Sequence, residues 1–324
     1  MRRFLPSSLL FVSTAIAAVA ADVTLFEREG PFGWVIVTES NGLRTLQFER
    51  GGARQTVVKP GDPAHLELPY APVALTGLSL CEAPRRVLIV GLGGGTLPMF
   101  IRHYYPEAVI DGVDINPDVV DVARRFLGFR EDARMRGIVA DGRKFIEETR
   151  EPYDIIFLDA FGADSVPPPL STVEFLRAVR KALKPSGVAV GNIWSREYNR
   201  LYDSMVRTYQ EAFDDLYLLE VRGVGNRILL SLPRRENFSR TDLAARAGAL
   251  SRTKGFRFDM APLVRTGFNH LRERDASAHV LTDAEMLKKR SPPPPYAEFA
   301  PRSRLCCLPC RSRPRRPPRD PTSS

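Results

Sequence analysis

Residues 86–114, RVLIVGLGGGTLPMFIRHYYPEAVIDGVD, constrain the fold more than any other stretch of the chain. Val87-Leu88-Ile89-Val90 is a run of β-branched and apolar residues that predicts a strand buried on both faces. It stops at Gly91, and Gly93, Gly94 and Gly95 follow. Glycine lets the backbone turn sharply and lets a ligand approach where a Cβ would collide. Residues 96–105 then read as a helix, and residues 109–113 as a second buried strand ending in Asp114. Strand, glycine loop, helix, strand, acid is the first half of a doubly wound nucleotide-binding fold, in which the terminal carboxylate can accept both ribose hydroxyls. The G-x-G-G-G spacing does not separate dinucleotides from S-adenosylmethionine as ligand.

The pattern continues downstream. Asn116 and Pro117 are suited to the cap and first position of a helix over 117–126. A strand over 138–139 ends at Asp141-Gly142, and a short helix covers 144–149. Residues 153–158 form another buried strand, with Asp159 at its carboxyl end and a Gly- and Pro-rich loop over 160–170. A helix capped by Ser171 or Thr172 runs to 183, a Lys-Pro-Ser-Gly turn leads into a strand over 188–193, and 197–213 is helical. Residues 216–221 and 227–232 are predicted to close the sheet as an antiparallel pair, with helices over 240–252 and 260–274 beyond it. This order predicts an α/β fold with a Rossmann-like, mostly parallel sheet of seven strands. Before it, 22–60 alternates apolar and polar residues around Ser40-Asn41-Gly42, which predicts a small antiparallel sheet containing a hairpin over 34–48 and a third strand over 53–58. A helix over 70–80 leads from it into the first parallel strand.

The ends of the chain differ from its body. Arg2 and Arg3, the apolar residues 9–19 and the small residues 18–21 have the layout of a signal peptide, with cleavage expected after Ala20 or Ala21. Export to the periplasm follows, with no stable membrane insertion after cleavage; a mis-assigned start would leave the chain cytoplasmic. From residue 290 the chain is rich in Pro and Arg and is expected to be disordered. The expected segments are thus 1–21, a β-sheet domain over 22–69, a catalytic domain over 70–289 and the tail over 290–324. The net charge of +9 does not indicate a nucleic-acid partner: eight arginines against two acids after residue 289, with Arg2 and Arg3, carry eight of those charges. The four cysteines make no disulfide framework at 324 residues; Cys81 stands alone, and Cys306, Cys307 and Cys310 lie in the tail without a histidine, so no metal is expected.

In an open α/β sheet, ligands bind beyond the carboxyl ends of the strands. Gly91, Gly93, Gly94 and Gly95, then Asp114, Asp141 with Gly142, and Asp159 all follow predicted strands and so share that edge. For a nucleoside ligand the loop backbone meets the sulfur or phosphate end, Asp114 the ribose and Asp141 the base, which leaves Asp159 at the reacting end.

VLIVGLGGGTLPMF, GVDINPDVVDVARRFLG, ADGRKFI and YDIIFLDAFG resemble the polyamine aminopropyltransferases, the spermidine synthases and their bacterial relatives. The likeness covers 55–232, and LTDA at 281–284 echoes an LTDD near that family's end. The resemblance implies a class I methyltransferase-like sheet behind a small N-terminal sheet, decarboxylated S-adenosylmethionine as donor and a diamine such as putrescine as acceptor. A homodimer is the oligomer to look for. It makes Asp114 the ribose acid, Asp141 the adenine-side acid, Asp159 the catalytic acid, Tyr70 a holder of the attacking amine and Gln55 a donor-side residue. Departures lie in the same places. Gly93 stands where the family's loop has Asp, Ala71 and Pro72 follow the tyrosine, and Asp159-Ala160-Phe161-Gly162 lacks the second acid, with Asp164 nearby. The family's residues after the tyrosine are commonly polar, and the two lost acids remove negative charge from a pocket for cationic amines. GLGGGTLPMF also resembles the spermidine-synthase-like domain of some protein methyltransferases, which use S-adenosylmethionine itself. Methyl transfer is therefore the second reading, and a non-catalytic exported binder of nucleosides or polyamines the third. An NAD oxidoreductase would leave Asp141 and Asp159 without roles.

Overall fold

The structure is a computed structural model that describes residues 22–81, 83–161 and 166–288. The signal-peptide reading of 1–21, Gly162 and Asp164 after the fourth parallel strand, and the tail with its three cysteines lie outside those residues.

Four strands, β1 (Val23–Gly30), β2 (Gly33–Ser40), β3 (Leu43–Gln47) and β4 (Arg54–Val58), form an antiparallel meander in that order. Asn41 and Gly42 take φ of 51° and 74°, the pair of positive values a two-residue hairpin needs. β1 is an addition to the strands expected from sequence; it pairs with β2 from Val23↔Glu39 to Gly30↔Gly33.

α1 (Tyr70–Ala74) continues as a 3-10 turn over Leu75–Leu80, in place of the single α-helix that the sequence predicts. Thr76 and Ser79 hydroxyls bond back to the carbonyls of Val73 and Thr76, and Gly77 sits so close to Val190 that a Cβ would overlap it. The turn is tightened by this approach to the sheet.

The main sheet follows: β5 (Arg86–Val90), α2 (Thr96–Tyr104), β6 (Val109–Asp114), α3 (Pro117–Arg125), β7 (Met135–Val139), α4 (Gly142–Glu148), β8 (Tyr153–Leu158), α5 (Val173–Ala182), β9 (Leu183–Trp194), α6 (Tyr202–Ala212), β10 (Asp215–Glu220), β11 (Asn226–Leu232), α7 (Arg240–Lys254), α8 (Ala261–Gly267), β12 (Phe268–His270) and α9 (Asp283–Lys288). Its order is β12-β10-β11-β9-β8-β5-β6-β7, parallel from β9 to β7 and antiparallel from β9 to β12. The expected α/β class with a mostly parallel sheet behind a small antiparallel one is what is found, with eight strands among the described residues instead of seven.

The eighth strand replaces the second half of the helix expected over 260–274. Leu219 pairs with Phe268 and Tyr217 with His270, whose rings lie 4.5 Å apart, and the His270 ring meets the Asp215 carboxylate at 2.5 Å. β10 would otherwise end the sheet with an unpaired edge, and β12 covers part of it. Two smaller departures have local causes. α6 begins at Tyr202 and not near 197, because the Asn199 side chain accepts the Leu201 N–H. Lys184-Pro185-Ser186-Gly187 lies within β9 as a bulge, since Leu183 pairs with Tyr153 and Val188 with Ile155.

Three apolar clusters hold the layers together. Val188 and Val190 face α1, the 3-10 turn and α7 on one side of the sheet, while Ala189 and Ile193 face α5 and α6 on the other. Val35, Val37 and Leu46 of the small sheet pack on Val119 and Val122 of α3, which brings β4 over the start of α2.

Candidate active site

β5 is the point at which the sheet reverses: β6 and β7 lie on one side of it, β8 and β9 on the other. Such a switch point opens a crevice at the carboxyl edge. Gly91 has φ of +96°, and a Cβ there would overlap the carbonyl oxygen of Asp159. Only glycine combines that φ with so close an approach. The Asp159 N–H donates to Val90 O at 2.8 Å, so the loops after β5 and β8 are fastened together at the crevice floor.

On the β6 side, Asp114 is half-buried at the end of its strand. Its carboxylate accepts the Asn116 N–H at 3.0 Å and the Gly93 N–H at 3.3 Å. Burial pushes its pKa up to about 6 against the pull of these backbone N–H groups. The Gly94 N–H donates at 3.0 Å to the hydroxyl of Thr56, a buried residue of β4, and Gln55 stands half-buried immediately before it. The small sheet therefore forms one wall of the glycine loop. Gly95 caps α2. Asp141 caps α4, its Oδ1 accepting the Arg143 and Lys144 N–H groups at 2.8 and 3.2 Å, which leaves Oδ2 available to a ligand. Gly142 packs against Val90. Ile115 and Val139, at the tips of β6 and β7, are 50% and 49% exposed, large for aliphatic residues beside two acids, and offer apolar walls for a planar base.

On the β8 side, Tyr70 and Asp159, 89 positions apart in sequence, meet: the phenol donates to Oδ2 at 2.9 Å. Asn192 of β9 donates from Nδ2 to Oδ1 at 2.8 Å, and Asn226 of β11 donates to Asn192 Oδ1 at 3.0 Å. Burial pushes the Asp159 pKa up to about 6, partly offset by the bonds from Asn192 and Tyr70. Burial, then the adjoining carboxylate, holds the Tyr70 phenol well above its ordinary pKa, so it stays a donor. Phe161, Trp194 and Tyr198 form an aromatic wall beside this group, with ring centroids 5.8 and 6.0 Å apart.

The structure thus brings Gly91, Gly93, Gly94, Gly95, Asp114, Asp141, Gly142 and Asp159 to one edge, with Tyr70 bonded to Asp159 and Gln55 in the strand over the loop. Asn192, Asn226 and Thr56 are not singled out by sequence reasoning. For Asn192 a signal exists: it is a lone amide in the apolar run VAVGNIW. For Thr56 and Asn226 there is none, since their partners are distant in sequence. LTDA also gains a place: Asp283 takes both guanidinium nitrogens of Arg143 at 2.7 and 2.6 Å and the Thr172 hydroxyl at 2.8 Å, tying α9 to the Asp141 loop and α5. Among the described residues no group of three or more His, Cys, Asp or Glu could hold a metal ion. A cavity of about 510 Å³ between Asp215, Arg235, His270 and Arg274 shares no residue with this edge.

Residues 72–217 match the model of the spermine/spermidine synthase domain. The chain is 32% identical over 222 residues to the polyamine aminopropyltransferase of Vibrio vulnificus, covering 66% of this chain and 74% of that one. The structure of human methyltransferase-like protein 13 in complex with SAH superposes with a TM-score of 0.53 at 31% identity, over 58% of this chain and 93% of that one. A probable spermidine synthase from Corynebacterium glutamicum shares the fold at 20% identity, with a TM-score of 0.63 over 82% and 97% of the two chains. Fold, crevice and relatives agree that the chain is a transferase belonging to the spermine/spermidine synthase family.

Proposed function

We propose that the chain transfers an aminopropyl group from decarboxylated S-adenosylmethionine to a diamine such as putrescine. The observation that carries this reading is the Tyr70–Asp159 pair at the carboxyl edge of β8, facing the crevice that the glycine loop and Asp114 line. In this reading Asp114 takes the ribose hydroxyls, Asp141 Oδ2 a donor on the base, Ile115 and Val139 its faces, and Gln55 the donor's tail. An alkylammonium with a pKa of about 10.4 is a poor nucleophile until it loses a proton. The Asp159 carboxylate accepts that proton and, with the Tyr70 oxygen, aims the freed lone pair along the C–S bond. The new N–C bond forms as the C–S pair passes to sulfur, which leaves as a neutral thioether.

Methyl transfer from S-adenosylmethionine is the second reading. Gly93 in place of an acid favours it, because the loop then carries no carboxylate to prefer a donor tail ending in an ammonium alone. The likeness to a methyltransferase whose structure contains SAH supports it. Calorimetric titration of the purified chain with decarboxylated S-adenosylmethionine, S-adenosylmethionine and NAD separates the readings. Tightest binding of the decarboxylated donor is expected; preference for S-adenosylmethionine selects the second reading, and preference for NAD removes both.

A further inference from the structure

We propose that Asn192, held by Asn226, is a positioning residue that fixes the Asp159 carboxylate for the acceptor amine. The inference rests on the reading of Asp159 as the acid that meets that amine.

Side chains two apart along a strand share a face. On β9, Val188 and Val190 fill the α1-side core, and Asn192 is the next residue on that face, only 5% exposed. Packing alone would be served by another aliphatic residue there, since a buried amide costs free energy unless its donors and acceptor are bonded. Asn192 meets that cost at both ends. A carboxylate can only accept, so Asn192 must turn Nδ2 toward Asp159; its Oδ1 then faces Asn226, which must turn its own Nδ2 inward. The relay Asn226, Asn192, Asp159 is directional, and every bond in it points its donor toward the carboxylate. Tyr70 reaches the other oxygen from α1. The carboxylate plane is therefore held from two sides, by one residue on a helix and one on a central strand, with lone pairs left for an ammonium. Trp194, the next same-face residue on β9, lies directly across from Asn226 and packs with Phe161, which walls the relay at the crevice rim.

The test uses the full chain with Asn192→Leu, Asn226→Leu and the double variant. It reads donor binding, acceptor kinetics against pH, and the titration of the Asp159 carboxyl by carbon-13 NMR, with Asp159→Asn to assign the resonance. Asn192→Leu is expected to lower kcat/KM for the acceptor by about tenfold or more, because a hydrogen bond to a charged group is lost. Donor affinity should stay within about twofold, and the acid limb of the profile and the carboxyl titration should both move up by about one pH unit. Asn226→Leu should move them the same way by less, and the double variant should match Asn192→Leu alone, since the two residues act in series. An Asp159 titration unmoved in both single variants, or losses that simply add, would overturn the relay. Absence of group transfer from either donor in the unaltered chain would sink the functional reading instead, and the carboxyl titration would still decide the relay.

Discussion

Replacing Asp159 by Asn should make the unliganded protein more stable while nearly abolishing its turnover. The carboxyl pKa of about 6 against an ordinary 3.8 means that the fold favours the protonated form. The stabilisation from proton uptake is complete below the unfolded value and is lost as pH rises through the folded one. At neutral pH the ionised group thus weighs against folding by about 3 kcal/mol at most, from about 1.4 kcal/mol per pKa unit. The carboxylate opens on the crevice, and water there reduces the figure to about 1–3 kcal/mol. The substituted amide would keep the bond its oxygen accepts from Asn192, while its nitrogen would donate to the Tyr70 oxygen and so reverse the bond that the phenol now donates. At about 2–4 °C per kcal/mol for a domain of this size, the variant should melt roughly 2–12 °C higher at pH 7. The gain should shrink toward zero by pH 4, where both proteins carry a neutral group. Differential scanning calorimetry from pH 4 to 8 checks this, alongside turnover, which should fall by about a hundredfold or more with loss of the proton acceptor. A variant less stable at pH 7, or equally stabilised at pH 4 and pH 7, would refute the picture of a desolvated carboxylate kept for chemistry.

Other expectations follow from the same geometry. Asp114→Asn should weaken donor binding by about 10- to 100-fold, the loss of a charge-assisted bond pair, with no loss of stability at pH 7, read by calorimetry. Gly91→Ala should destabilise the fold by at least about 2 kcal/mol in denaturant unfolding, because a Cβ at φ of +96° would also overlap the Asp159 carbonyl. Asp283→Ala should lower donor affinity more than acceptor kcat, since it frees Arg143 and the Asp141 loop; equal effects on both would remove that coupling. The intact mass of the chain expressed in a bacterium should correspond to cleavage after Ala20 or Ala21; an unprocessed N-terminus would refute the signal-peptide reading.

Much of the fold is legible in the sequence because it rests on local signals. The apolar runs at β5, β6 and β8, the Asn116-Pro117 cap and the Asn41-Gly42 turn each act within a few residues. The crevice is legible for the same reason: Gly91, Asp114, Asp141 and Asp159 stand at strand ends, and strand direction alone puts them on one edge. What escapes reading depends on partners far apart in sequence. β12 exists because β10 leaves an edge and His270 finds Asp215, 55 residues earlier. The helix over 70–80 tightens because Gly77 meets Val190. Asn192 and Asn226 acquire meaning only when β9 and β11 pair, and Thr56 only when β4 lies over the glycine loop. Asp141 shows the limit of a strand-end argument, since one of its oxygens caps α4 whatever ligand the other receives.

The most direct trial of the account is product analysis by mass spectrometry after incubating the purified chain with putrescine and an equal mixture of decarboxylated and ordinary S-adenosylmethionine. Spermidine and methylthioadenosine are the expected products, with neither formed by Asp159→Asn at a comparable rate. Methylated amine and S-adenosylhomocysteine would transfer the crevice to the second reading, and both donors recovered intact would contradict the claim that this edge carries out group transfer.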